Sequence, residues 1–220
     1  MIKQSTLVLK NYEKSTKYIK TYNFVSMITS KKQLHLLAAA RELFWRHGFR
    51  RVTIEEICEK ADVSKMTFYK FFPDKISIAK AVFAKEVETG MLRFREILAD
   101  RSTGATEKVR SIMLMKADSA NNISKEFLND FYSSDKTELV GFVHDLTAKT
   151  WNEAIGDFKK AQADGVFRKD FKPEFLFLVS QKIAESLNDP KVQALYSSPH
   201  DLIVELSRFF CYGISPRNEE

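Results

Sequence analysis

Between positions 50 and 75 lies a run of hydroxyls, amines and one phenol whose order suits contact with a polyanion. Thr53 and Ser64 each stand where a helix would begin. Their hydroxyls, and the backbone N–H groups behind them, are therefore open to anionic oxygens. After Ser64 come Lys65, Met66, Thr67, Tyr69 and Lys70, all left facing outward if Val63, Phe68 and Phe72 supply the apolar anchors of a short amphipathic helix. Arg50, Arg51 and Lys75 add cations on the flanks. Hydroxyls and N–H groups for phosphates, with amines and apolar tips for base edges, make up the chemistry by which a protein grips and reads a duplex.

The charge distribution points the same way. The formal net charge of +6 over 220 residues hides a gradient: residues 1–30 carry +4, residues 31–85 carry +6, and residues 86–220 carry −4. A basic amino-terminal part on a mildly acidic body is the electrostatic footprint of one end meeting a polyanion, although a solvated basic surface has the same net charge.

Other chemistries find no purchase. Only seven glycines occur, none closer than nine residues to the next, so no glycine-rich phosphate cradle and no G-x-S-x-G nucleophile turn is present. His35, His47, His144 and His200 form no i, i+4 pair, and Cys58 and Cys211 stand far apart. Neither a metal site nor a cofactor is expected, and the thiols read as reduced and buried. Carboxylates are scattered with no acid/base pair singled out, so catalysis is not expected. No apolar run approaches the ~20 residues that cross a bilayer, and the first thirty residues lack a secretory core. The expectation is a cytoplasmic protein with no membrane partner.

The elements that would hold the polyanion-facing residues are all helical. Residues 1–30 read as a basic, flexible arm, and Met27 is a possible alternative start. A helix over 31–47 stops at Gly48. Thr53 opens the next with the capping-box pattern Thr53-Ile54-Glu55-Glu56. Asp62 suits a left-handed turn, Ser64 caps a helix over 65–71, and Asp74 caps a long fourth helix. Beyond it, helices are expected to start at Thr106 and Ser124, to run from about 135 to 164, to restart at Pro173, and to run from Pro199 to Gly213. Two short helices joined by a tight turn and braced on both sides form a helix-turn-helix.

Residues 31–85 resemble the DNA-binding domain of TetR-family transcriptional regulators. The matching string runs Ala39-Ala40-Arg41-Glu42-Leu43-Phe44, His47-Gly48-Phe49, Val52-Thr53-Ile54-Glu55-Glu56-Ile57, then Ala61 through Lys75. Two positions depart from the family pattern: Asp62 stands where glycine is usual, and Met66 where a small residue is common. The resemblance implies an all-α protein: a three-helix helix-turn-helix domain at 31–78, then a larger helical ligand-binding and dimerisation domain at 79–220. It implies that Thr53 and Tyr69 touch phosphates, that Lys75 grips another, and that Lys65, Met66 and Thr67 lie nearest the bases, with Ser64 and Lys70 beside them.

For the body, the resemblance implies a pocket and a two-fold interface. The residues expected to line an apolar effector pocket are Met113, Asn122, Phe127, Phe131, Phe142, His144 and Trp151. Those expected to meet a second copy are Phe175, Val179, Ile183, Leu187, Leu202, Leu206 and Phe209. The function so implied is a homodimeric, ligand-responsive repressor on a near-palindromic operator in double-stranded DNA. The alternative keeps the DNA contact and drops the ligand: a chromosome-binding or protein-recruiting factor on the same fold.

Overall fold

A computed structural model describes residues 30–132, 137–187 and 189–216, with the side chains at 184 and 185 left out. Every regular element among them is an α-helix. In chain order these are α1 (Lys31–His47), α2 (Ile54–Ala61), α3 (Lys65–Phe71), α4 (Lys75–Ala99), α5 (Ala105–Ser119), α6 (Lys125–Phe131), α7 (Glu138–Ala163), α8 (Pro173–Ser186), α9 (Pro190–Gln193) and α10 (Pro199–Ile214). The basic arm, Ser30 apart, lies outside the described residues, as do Met27 and Asp135.

The chain forms two compact units, Met1–Thr89 and Gly90–Glu220. The boundary expected after residue 78 and the division after Thr89 both fall within α4.

In the first unit, α1 packs against α2 and α3. Its core holds Leu36, Leu37, Phe44, Val52, Ile57, Phe68 and Ile78. Ser30 caps α1 by accepting from the Gln33 N–H at 3.2 Å. Gly48 ends it at φ 78°, ψ 167°, a conformation that a side chain would oppose, with its N–H donating to the Phe44 carbonyl. These signals are local, and each ends or starts the helix where its residue type says it should.

In the second unit, α5 packs on α10, and α7 on α6 and α8. Phe158 sits at the centre of an aromatic core, with ring centroids 5.3 Å from Phe94, 5.3 Å from Phe167 and 5.7 Å from Trp151. Three details differ from the sequence expectation. Helix α5 begins at Ala105, because the Gly104 carbonyl already accepts from the Lys108 N–H at 3.0 Å, so Thr106 lies within the helix rather than capping it. Helix α10 runs past Gly213 to Ile214. Its last carbonyls are met by Arg168, whose backbone N–H donates to Ile214 at 3.0 Å and whose guanidinium donates to Gly213. The short α9 carries no apolar period and rests on its cap, the Asp189 carboxylate accepting from the Lys191 N–H at 2.8 Å.

Candidate nucleic-acid interface

The helix-turn-helix is assembled from three local devices. Thr53 closes a full capping box: its Oγ1 accepts from the Glu56 N–H at 3.2 Å, while Glu56 Oε2 accepts from the Thr53 N–H at 2.7 Å and from the Thr53 hydroxyl at 2.9 Å. Those two bonds, the backbone one foremost, hold the Glu56 carboxyl below the usual carboxylate range. Asp62 takes the left-handed turn at φ 53°, ψ 51°, and its N–H returns to the end of α2. Ser64 Oγ then accepts from the Thr67 N–H at 3.2 Å, and the two hydroxyls of Ser64 and Thr67 share a further bond at 3.1 Å.

The resulting α3 is seven residues long, and Phe68 is its one fully buried side chain. Phe68 meets Phe72 with ring centroids 5.9 Å apart, and the Tyr69 ring stands edge-on to it at 5.4 Å. Everything else on α3 is left outside or at the edge. Met66 is 84% exposed and Tyr69 54% exposed, with Lys65 and Lys70 exposed and Thr67 half-buried. A short helix with one anchor and a cationic, apolar-tipped outer face is built to enter a groove rather than to fill a core.

Two of the expected contact cations are already engaged, as the Thr53, Ser64 and Thr67 hydroxyls are. The Lys75 ammonium, at the first position of α4, donates to the carbonyls of Phe49 at 2.9 Å, Arg50 at 3.3 Å and Val52 at 2.8 Å. It also lies 4.4 Å from the Phe49 ring centre. An ammonium has three protons, so these carbonyls can take all of them, and they supply the partner that a cation at a helix N-terminus needs. A phosphate would have to displace them. Lys65 is paired with Glu55 across the turn, an ion pair that sequence reasoning did not single out. Their hydrogen bond pulls the Glu55 carboxyl below its ordinary range and raises the Lys65 ammonium above its own.

Neither cysteine is poised for chemistry: Cys58 and Cys211 are buried, and burial pushes both thiols up.

In the second unit the seven residues expected around a pocket differ in exposure. Phe127 and Phe131 are buried and stacked at 4.5 Å. Trp151 stacks on Phe158 and lies 5.6 Å from Phe177. Phe142 is half-buried; Asn122, at φ 65°, and His144, beside Asp145, are exposed. Met113 packs against the core and also lines an open groove of about 700 Å³ with Glu205, Arg208, Phe209, Tyr212 and Gly213. Of the expected interface residues, Leu187 and Leu202 are buried inside the unit, and Val179, Ile183 and Leu206 are half-buried. Phe175 and Phe209 are 64% and 67% exposed; Leu178, within the expected 175–179 stretch, is exposed too, as is Tyr212, which the sequence reading left out of the interface.

Comparison with known proteins agrees with this geometry. Residues 36–82 match the family model for bacterial regulatory proteins of the tetR family. The HTH-type transcriptional regulator UidR of Escherichia coli K12 is 34% identical over 61 residues, 28% of this chain and 31% of that protein. The match thus spans about a third of that relative's length. Among solved structures, regulatory protein TetR from Rhodobacter sphaeroides superposes with a TM-score of 0.62 at 18% identity, over 84% of this chain and 100% of that one. The fatty acid degradation regulator FadR from Bacillus halodurans gives 0.59 at 15% identity, over 86% and 99%. At these identities the structural likeness is one of fold.

Proposed function

We propose, from the match of residues 36–82 to the tetR family model, that the amino-terminal unit is a TetR-family DNA-binding domain and that the protein is a sequence-specific transcriptional repressor acting as a homodimer. The observation that carries this reading is the outer face of α3. Lys65, Met66, Tyr69 and Lys70 stand exposed on a helix whose one buried side chain is Phe68, and Met66, beside Lys65, is left 84% exposed. On this reading Met66 and the Thr67 methyl meet thymine methyl groups, Lys65 meets guanine, and Ser64, Tyr69 and Lys70 meet phosphates. Thr53 joins the phosphate contacts when its hydroxyl turns from Glu56. Lys75 acts through the 49–52 loop that its ammonium draws together.

The dimer reading is supported by the exposed Phe175, Leu178, Phe209 and Tyr212 on α8 and α10, apolar surface of the kind that a second copy of the same pair would cover. Two recognition helices related by a two-fold axis then read half-sites about one helical turn apart. Ligand responsiveness requires an effector that binds better to a state unfit for DNA. The aromatic side chains of α6 and α7 are the surface proposed for it, with α4 as the lever.

The stacked burial of Phe127 and Phe131 favours a second reading, a DNA-bound factor without an effector.

The test is selection of random duplexes by the purified protein, then anisotropy titration of the winner across salt concentrations. The expected result is a two-fold symmetric consensus bound at least ~1,000-fold more tightly than scrambled DNA. Weak, strongly salt-dependent binding with no consensus would overturn it. Small apolar compounds that release the selected duplex separate the first reading from the second.

A further inference from the structure

We propose that Glu55 is the positioning residue for Lys65 and a determinant of sequence discrimination, holding the Lys65 ammonium at the turn and away from phosphates while its remaining N–H groups donate to a suitable base edge. This rests on the DNA-reading role of α3. The two residues lie ten apart, Glu55 in the first turn of α2 and Lys65 at the first position of α3, and the turn through Asp62 brings them into an ion pair. Both side chains are more than half exposed, at 58% and 56%. An exposed pair of this kind contributes little to stability and is screened by salt, so a purely structural staple is a poor account of it. Its effect falls instead on whatever Lys65 next meets.

The amino-terminal end of a recognition helix is the part that reaches base edges, and Lys65 stands there, one residue after the Ser64 cap. An unpaired lysine at such a place collects any phosphate within reach, which raises affinity for every sequence alike. With Glu55 bound to it, Lys65 brings a carboxylate to each encounter, so indiscriminate phosphate contact is penalised by repulsion. A guanine presents two acceptors, O6 and N7, and the ammonium carries three protons, enough to keep Glu55 and engage the base. The neighbouring Glu56 cannot take this part, since both of its described bonds go back to Thr53. The pair thereby converts a general phosphate-seeking cation into a directed one.

The experiment compares wild type, Glu55→Gln, Lys65→Ala and the double variant on the duplex that wild type selects and on scrambled DNA. For Glu55→Gln, affinity for scrambled DNA is expected to rise about three- to tenfold, with a salt slope steeper by about 1 as Lys65 gains a phosphate. The preference for the selected duplex is expected to fall by a similar factor, and fresh selection to lose a guanine in each half-site. The double variant is expected to match Lys65→Ala, since Glu55 acts only through Lys65. Unchanged slope and preference in Glu55→Gln would overturn the proposal while leaving DNA reading intact. A wild type that selects no duplex would overturn both. Circular dichroism melting of each variant guards the comparison, because a shared loss of folding lowers both affinities instead of raising one.

Discussion

The two units expose large apolar side chains in different company. On α3, Met66 and Tyr69 form a small island between Lys65 and Lys70, within a stretch that carries +6 over residues 31–85. On α8 and α10, Phe175, Leu178, Phe209 and Tyr212 stand exposed in a segment whose net charge is −4 over residues 86–220. Two apolar side chains among cations cannot bury much area, so on the proposed function their worth lies in choosing among surfaces that the cations already attract. Four large side chains on two long helices can drive association by area alone. On the proposed function, charge context, more than hydrophobicity, separates a reading surface from a docking one.

The sharpest way to break the first half of that contrast is Phe68→Ala. This ring is the single fully buried group of α3, and its removal is expected to cost about 3–5 kcal/mol of stability by chemical denaturation. A cost under about 1 kcal/mol would mean that the outer face is held by something else. The second half breaks with the paired change Phe175→Asp and Phe209→Asp. Loss of two aromatic anchors is worth about 3 kcal/mol or more of association, a rise of roughly 100-fold or more in the dissociation constant by sedimentation equilibrium. A dimer of unaltered strength would remove these residues from the interface.

Lys75→Met sharpens the contrast instead of breaking it, since it asks whether a cation near the reading surface works on DNA or on the protein. With its ammonium spent on three carbonyls, the expected result is about 1–3 kcal/mol of lost stability and an unchanged salt slope on the selected duplex. A slope shallower by about 1 would show that the ammonium leaves those carbonyls for a phosphate.

What was legible in the residues, and what was not, follows from how far each interaction reaches along the chain. The Thr53 box, the Asp62 turn and the Ser64 cap link residues at most a few positions apart, so side-chain type at a fixed spacing is enough to read them. The Glu55 and Lys65 pair spans the turn itself, and its formation needs the angle between α2 and α3. The partners of Lys75 are backbone carbonyls, which no residue type advertises. The end of α10 depends on Arg168, whose contact with Gly213 is 45 residues distant in sequence, so glycine looked like a stop where the helix continues. In the second unit, aromatic composition announced a core. Which rings stack on one another and which stay outside is settled by packing, to which a list of apolar positions is blind.

The Lys75 bond set has a consequence for how the first unit comes apart. Residues 49–52 form no regular element, although Val52 reaches the core. Yet their carbonyls are held by a side chain 23 to 26 residues downstream, at the first turn of α4. Local opening of the connection therefore has to wait for that turn, and the two belong to one cooperative unit of unfolding although α2 and α3 lie between them in the chain. A loop so bound inherits the persistence of the helix that holds it, and its place in the order of unfolding is set by α4 rather than by the shorter helices beside it.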